Sequence, residues 1–487
     1  MPIRRRKPPA RIILLPTLTA AIGLLTAACG GNGQPAAARP GAQHFHSRPD
    51  LVPPTIDVRT PAHDVAPGYI FFGPKKEVKQ QGALIVDNDG GVVWFHPVKG
   101  EVADFRVQHY RGRPVLTWWE GHSKFGIGRG KYEIVDSSYR KIAEVRAGHG
   151  LRGDLHEFQL TPRNTALITI YNRVPADLSS VGGPRHGFAF DSIVQEIDVA
   201  SGRVLFEWHS IGHVALTESY QKLRRLPNGK PAPDDYFHVN SIAEDGPNLL
   251  ISGRNTHALY EISRRDGRVL WRLGGKRSDF QMGPGTNFEW QHDARRHHDG
   301  TLTLFDNGAM PKEEDHSRAL VLHVDTVHKT VTLVRAYVHP KKLLAPHQGN
   351  MQVLPDGHVF VGYGGLPYFT EFSPDGHVLY DATFGEGADS YRAYRFVWTG
   401  HPAERPAVAV VRKGGRATVY ASWNGATNVT RWQVLAGPDR AHLTEVAAAP
   451  KDGFETAIGL STKARYVAVR AVDGSGAPLR ESPVVAR

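Results

Sequence analysis

Residues 290–308 read WQHDARRHHDGTLTLFDNG, and this stretch decides the fold. A short run opening on a histidine, a turn at Asp299-Gly300 and the apolar, β-branched run TLTLF together signal a β-hairpin. Two more short runs follow, ALVLHVD and TVTLVRAYV, so the unit holds four strands. Downstream, PHQGNMQVL from Pro346 leads through Asp356-Gly357 to HVFVGYG, YFTEFS and GHVLYDATF. Upstream, YFHVNSI from Tyr236 leads through Asp245-Gly246-Pro247 to NLLISGR, ALYEIS and GRVLWRLG. Before that, DLHEFQL from Asp154 leads through a Pro-Arg-Asn turn to ALITIYN, SIVQEID and GRVLFEWH. A repeat of roughly 40 to 55 residues is the length of a propeller blade, and a four-stranded antiparallel unit repeated radially is such a blade. Weaker copies at 69–98 and 105–148 bring the count to six. The fold class expected is therefore all-β, with a six-bladed β-propeller over residues 54–402. A closing strand supplied by the N-terminal segment is the alternative that changes the count by one.

Beyond Trp398 the texture changes. Residues 403–487 carry RATVYASWNG, VTRWQVLAG and YVAVRAVDG, and no further blade that opens on a histidine. They predict a C-terminal β-sandwich module of fibronectin III or Ig-like type, with Trp423 and Tyr466 as core aromatics.

The other end reads as a targeting segment. Arg4, Arg5, Arg6, Lys7 and Arg11 precede the apolar stretch Ile12 to Ala28, which holds Pro16 and is short for a membrane span. Leu25-Thr26-Ala27-Ala28-Cys29 resembles a lipobox, which makes 1–28 a lipoprotein-type signal peptide and Cys29 the lipid attachment site. A plain signal peptide cut near Ala28, giving a secreted protein, is the alternative. Residues 29–53, rich in Gly, Ala, Pro and Gln, predict a flexible tether from a membrane to the domain. The expected location is extracytoplasmic, at the cell membrane.

Cys29 is the only cysteine, which excludes an intramolecular disulfide, a cysteine nucleophile in the globular part and any cysteine-based metal site. The formal charge is +11, and without the five basic residues of 1–28 it is +6. That scattered excess suits anionic small molecules. No dense Lys/Arg run interleaved with aromatics points to nucleic acid.

The histidines fall at one phase of the repeat. His156, His238, His292 and His347 all stand near the start of a blade's first strand, the strand that lines the axis. Their imidazoles are predicted to converge there, with His109 in FRVQHY a candidate fifth. A structural motif between blades is the bland alternative, yet a wet channel offers no packing reason for imidazole. Hairpin register adds partners. A turn centred on Gly246 sets His238 opposite Arg254, and one between Asp299 and Gly300 sets His292 opposite Asn307. His156 falls within about two residues of Asn172 in a register open to slippage, and His347 faces Gly364 and Gly365. A guanidinium among imidazoles and amides suits a tetrahedral oxyanion. There is no HExxH, nucleotide loop or nucleophile elbow. Two other readings stay open: a His-ligated metal-dependent hydrolase or lyase that draws on Asp293 and Glu157, and a non-catalytic propeller that binds a ligand or partner.

At these residues the chain resembles the bacterial arylsulfate sulfotransferase family, in its actinobacterial-type branch. FHVNSI (237–242), LLISGRNTHALYEI (249–262), VLWRLGG (269–275), WQHDARRHHDGTLTLFDNG (290–308) and QGNMQVLPDGHVFVGYG (348–364) carry the resemblance. It implies sulfuryl transfer from a phenolic sulfate ester to a phenolic acceptor through a sulfohistidine, with no nucleotide sulfate donor, no cofactor and no metal. It places the nucleophile at His292 and further catalytic groups at His238, Arg254 and His156. Asn240, Asn307, His347 and Asn172 are the expected substrate-binding residues. An Asn307 that fixes the His292 tautomer is inferred from the hairpin, not from the family.

Overall fold

The computed structural model describes residues 41–413 and 416–487. The expected signal segment 1–28 and Cys29 lie outside the described residues.

Six four-stranded antiparallel sheets follow one another along the chain. From the axis outward, the second blade holds Glu101–Tyr110, Arg113–Lys124, Ile127–Val135 and Lys141–Val145. The third, which opens on Gly153–Leu160, joins the second through one bridge, Gly153 to Gly130. The fourth opens on Val239–Asp245, the fifth on His292–Arg296 and the sixth on Asn350–Val353. The first blade is composite. Tyr69–Phe72, Gly82–Val86 and Val92–Pro97 come from the N-terminal side, while its innermost strand, Ala393–Phe396, arrives from the end of the propeller. A second closure lies on the outside: Asp57–Thr60 pairs with Val378–Thr383 as a fifth strand of the sixth blade.

Each gap between neighbouring blades holds its own apolar cluster, and these clusters explain the sequence pattern. Phe72 faces the sixth blade's Phe369, whereas Phe71 faces Phe105 of the second. Likewise Ile168 packs toward the second blade and Leu167 toward the fourth. A strand buried on both faces has no polar side to show, so ALITI and NLLIS read as continuous apolar runs. Full burial of such a side chain is worth about 1.5–3 kcal/mol.

Beyond the ring, the strands of 407–486 form a three-stranded and a five-stranded sheet around one shared core. Its buried aromatic is Trp432. The expected core residues Trp423 and Tyr466 are only half-buried, because Trp423 turns its indole N–H to the Glu404 carbonyl at 2.8 Å. The tether reading also needs correction where residues are described. Phe45 packs against Phe454 with the rings tilted and their centroids 4.3 Å apart, the His46 amide donates to the Glu455 carboxylate at 3.0 Å, and Leu51 is buried in the propeller. Two apolar side chains in a polar stretch are enough to dock residues 45–51.

Candidate functional site

Four of the expected residues meet in one cavity. His156, His238, Arg254 and His292 line a space of about 740 Å³ at one end of the axis, and His347 joins them. His292 is 1 % exposed and Arg254 9 %. The inner strands deliver the histidines through bulges. Register shifts fall between Gly153 and Phe158, Val239 and Ser241, and His292 and Arg295. A bulge leaves the ladder locally and re-aims a side chain, a common device beside functional sites. His238, Trp290, Asp293 and Gln348 also sit in the left-handed region at φ of 56°, 58°, 57° and 64°. Non-glycine residues hold that conformation only when the surroundings enforce it.

His292 is held in one tautomer. Its Nδ1 lies 2.6 Å from Asn307 Oδ1, and the Asn307 amide nitrogen donates to the carbonyls of Ala345 and Gln348 at 3.1 and 2.9 Å. The amide orientation is thereby fixed, so the imidazole donates from Nδ1. Nε2 keeps its lone pair and accepts only the Gln348 amide at 3.2 Å. Burial, reinforced by Arg254, pushes the His292 pKa well below the ordinary 6.5. The ring is a neutral base with its lone pair at the cavity.

His156 and His238 form a coupled pair. Their Nε2 atoms are 3.2 Å apart. His238 Nδ1 contacts Asp235 at 2.6 Å, and His156 Nδ1 contacts Asp154. If both rings donate to carboxylates from Nδ1 and both are neutral, two lone pairs face each other. A proton placed between them would be shared by the two Nε2 atoms. Burial lowers the His238 pKa, with Asp235 opposing it. Beneath lie Tyr171, whose hydroxyl donates to the Val239 carbonyl at 2.6 Å, and Tyr391, which donates to the His156 and Asn240 carbonyls at 3.0 and 3.1 Å. Burial raises both phenols well above 10, so they stay neutral.

Arg254 lies across from His238, its amide donating to the His238 carbonyl at 2.9 Å, as the hairpin register predicts. Its guanidinium donates to Asn255 Oδ1 at 2.8 Å and lies over the Trp290 ring at 4.8 Å. No carboxylate among the described residues stands within ion-pair distance of it. Burial pulls its pKa down to about 10, which still leaves it charged near neutrality. A buried cation without a counter-ion is a place for an anion.

The remaining expectations divide. His347 packs on Gly365, where a Cβ would come 2.7 Å from the imidazole, and burial lowers its pKa to about 4. His292 has Phe305 rather than Asn307 as its cross-strand neighbour, although the side chains still bond. Asn240 does not line the cavity; it donates to the Gln291 carbonyl at 2.6 Å and so braces the residue before His292. Asn172 is not at the site either. The bulge at 154–157 shifts the register, and Tyr171 takes that place against His156 at 5.4 Å. His109 is exposed near the other end of the axis, since it ends its strand rather than begins it. Sequence reasoning missed Asp235, Asn255, Trp290 and Tyr391. The Asp-x-x-His spacing of Asp235 and His238 was the available signal. Phe125, 69 % exposed at a hairpin tip, and Met310 with Pro311 also line the mouth unforeseen.

The carboxylates of the metal reading are engaged elsewhere. Glu157 accepts from Arg106 at 2.6 Å and Arg295 at 2.7 Å, and Asp293 takes Arg295 at 2.6 Å. An imidazole cluster beside a guanidinium that has no carboxylate partner among the described residues fits an anion better than a cation.

The family model described as Arylsulfotransferase (ASST) matches residues 106–385, more than half of the chain. The chain belongs to the arylsulfotransferase family. It is thus an enzyme that transfers sulfuryl groups among small aryl sulfates and phenols, and the matched span contains His156, His238, Arg254, His292 and His347. None of the curated proteins searched matches it. Among solved structures, a Bacteroides caccae protein of unknown function is 12% identical, covering 67% of this chain and 98% of its own, with a TM-score of 0.37. Virginiamycin B lyase from Staphylococcus aureus is 10% identical over 75% of this chain and 95% of its own, with a TM-score of 0.32.

Proposed function

We propose that this arylsulfotransferase works through a sulfohistidine at His292, without a nucleotide sulfate donor. The observation that carries the reading is the Arg254 guanidinium, without a carboxylate partner among the described residues, lining the same cavity as an imidazole whose Nε2 accepts one long bond, from the Gln348 amide. An aryl sulfate enters with its sulfuryl oxygens toward Arg254, where the charge they develop is stabilised in a water-poor setting. The Nε2 lone pair of His292 forms the N–S bond as the S–O bond to the aryl oxygen breaks. The leaving phenoxide takes the proton shared by His156 and His238, and the phenol departs. In the second half the acceptor phenol returns its proton to that pair, its oxygen bonds to sulfur and the N–S bond breaks. Asn307 keeps the Nδ1 proton in place throughout. Phe125 and Met310 supply apolar surface for the aryl ring.

The test is His292→Asn with 4-nitrophenyl sulfate as donor and phenol as acceptor. The expected loss in kcat/KM is at least about a thousandfold, the scale of removing a nucleophile. Wild-type protein quenched after donor alone should carry sulfate that is labile in acid and stable in base. Full turnover by the variant overturns the assignment.

A further inference from the structure

The mouth of the axial cavity carries positive charge that the transfer chemistry does not use. Its lining includes Lys75, Lys76, Lys99 and Arg224 against the carboxylates Glu101 and Asp235. Those carboxylates are occupied. Asp235 holds His238, and Glu101 takes Lys75 Nζ at 3.2 Å and the Ser123 hydroxyl at 2.8 Å. Lys76 bridges to Asp389. Lys99 and Arg224 are left over. Both are exposed, and neither side chain has a carboxylate within ion-pair distance among the described residues. They come from different parts of the ring: Lys99 follows the outer strand of the first blade, and Arg224 lies in the long connection between the third and fourth blades. The charge of Arg224 is felt on the floor, at both Arg254 and Asp235.

A sulfate monoester has a single negative charge, and the floor already supplies a guanidinium for it. Phe125 and Met310, both exposed, line the same cavity as Arg254, Lys99 and Arg224. We propose that Lys99 and Arg224 form a subsite for a second anionic group, a carboxylate on the aryl ring, so that the preferred substrates are carboxylated aryl sulfates and phenols. The proposal rests on reading Arg254 and His292 as the sulfuryl site. General electrostatic steering is the competing account; it would favour ligands of equal charge alike, wherever the second charge sits on the ring.

Two non-transferable probes of equal charge separate these accounts: 4-sulfobenzoate, whose carboxylate lies far from the sulfonate, and 2-sulfobenzoate, whose carboxylate lies beside it. Titration calorimetry on the full chain should show 4-sulfobenzoate bound about tenfold more tightly, and the Lys99→Ala/Arg224→Ala double variant should lose most of that ratio. The donors 4-carboxyphenyl sulfate and 2-carboxyphenyl sulfate should show the same change in their ratio of kcat/KM. Equal wild-type affinities, or a ratio that survives the double variant, overturns the subsite and leaves the sulfuryl site standing. A parallel fall for both probes assigns the cations to steering and also overturns it. If neither probe binds the wild type, the sulfuryl site falls and the subsite with it.

Discussion

Two layers of buried charge lie along the same axis and behave in opposite ways. The upper layer holds His156, His238, His292 and Arg254, open to the cavity. The lower holds Arg106, Arg295 and Arg392 with Asp104, Glu157 and Asp293. There Arg392 reaches Asp104 at 2.9 Å and Glu157 at 3.2 Å, and Tyr394 donates to Asp104 at 2.9 Å. Three cations meet three anions, and the layer closes on itself. In the upper layer the carboxylates belong to the histidines and the guanidinium has none. Buried charge that is fully paired fixes the ring; buried charge left unpaired awaits a ligand.

Breaking the lower layer should have the largest effect. Burial alone raises the Glu157 carboxyl, and Arg295, Arg392 and Arg106 overcome it, holding it well below the usual carboxylate range. Glu157→Gln leaves three arginines short of an anion and should cost about 3–5 kcal/mol of stability, read by denaturant or thermal unfolding. Its contribution is complete above the unfolded carboxylate pKa and is lost as pH falls toward the folded value, so the gap between wild type and variant should narrow in acid. A variant as stable as wild type at pH 7 would deny the layer its structural role.

The upper layer should answer in rate rather than stability. Asn307→Leu frees the His292 tautomer, and kcat should fall about tenfold to a hundredfold, the scale seen when a partner that orients a reactive imidazole is lost. Asn307→Asp, which still accepts from Nδ1, should recover part of that loss. A smaller effect sharpens the contrast further. An ordinary imidazole is about 90 % protonated at pH 5.5. Because His292 lies well below 6.5, single-turnover release of 4-nitrophenol should change less than about twofold between pH 7 and 5.5. A half-titration near 6.5 would mean that His292 is not shielded as the geometry requires.

The two layers also differ in how far the sequence discloses them. The histidines are legible because hairpin turns mark their phase, and burial on both faces gives each blade its apolar runs. Arg254 is legible because one bulge at Asn240 offsets the hairpin so that His238 still meets it. Asn172 is not, since between the pairs Gly153–Ile170 and Phe158–Ile168 one strand advances five residues while its partner advances two, a slip that hairpin counting does not foresee. Asp235 precedes its strand, where no period applies. The lower layer is hardest to foresee, because Arg392 and Tyr394 come with a strand far away in the chain.

That strand, Ala393–Phe396, sets an order of events. Tyr391 and Arg392, just before it, reach across to the His156 carbonyl and to Glu157, so the floor of the site is completed from the last part of the propeller to be synthesised. A nascent chain halted between residues 347 and 391 has its imidazoles but not the footing beneath them. The support of the site and the closure of the ring thus lie in one short segment, so the circumference and the footing of the chemistry are completed together.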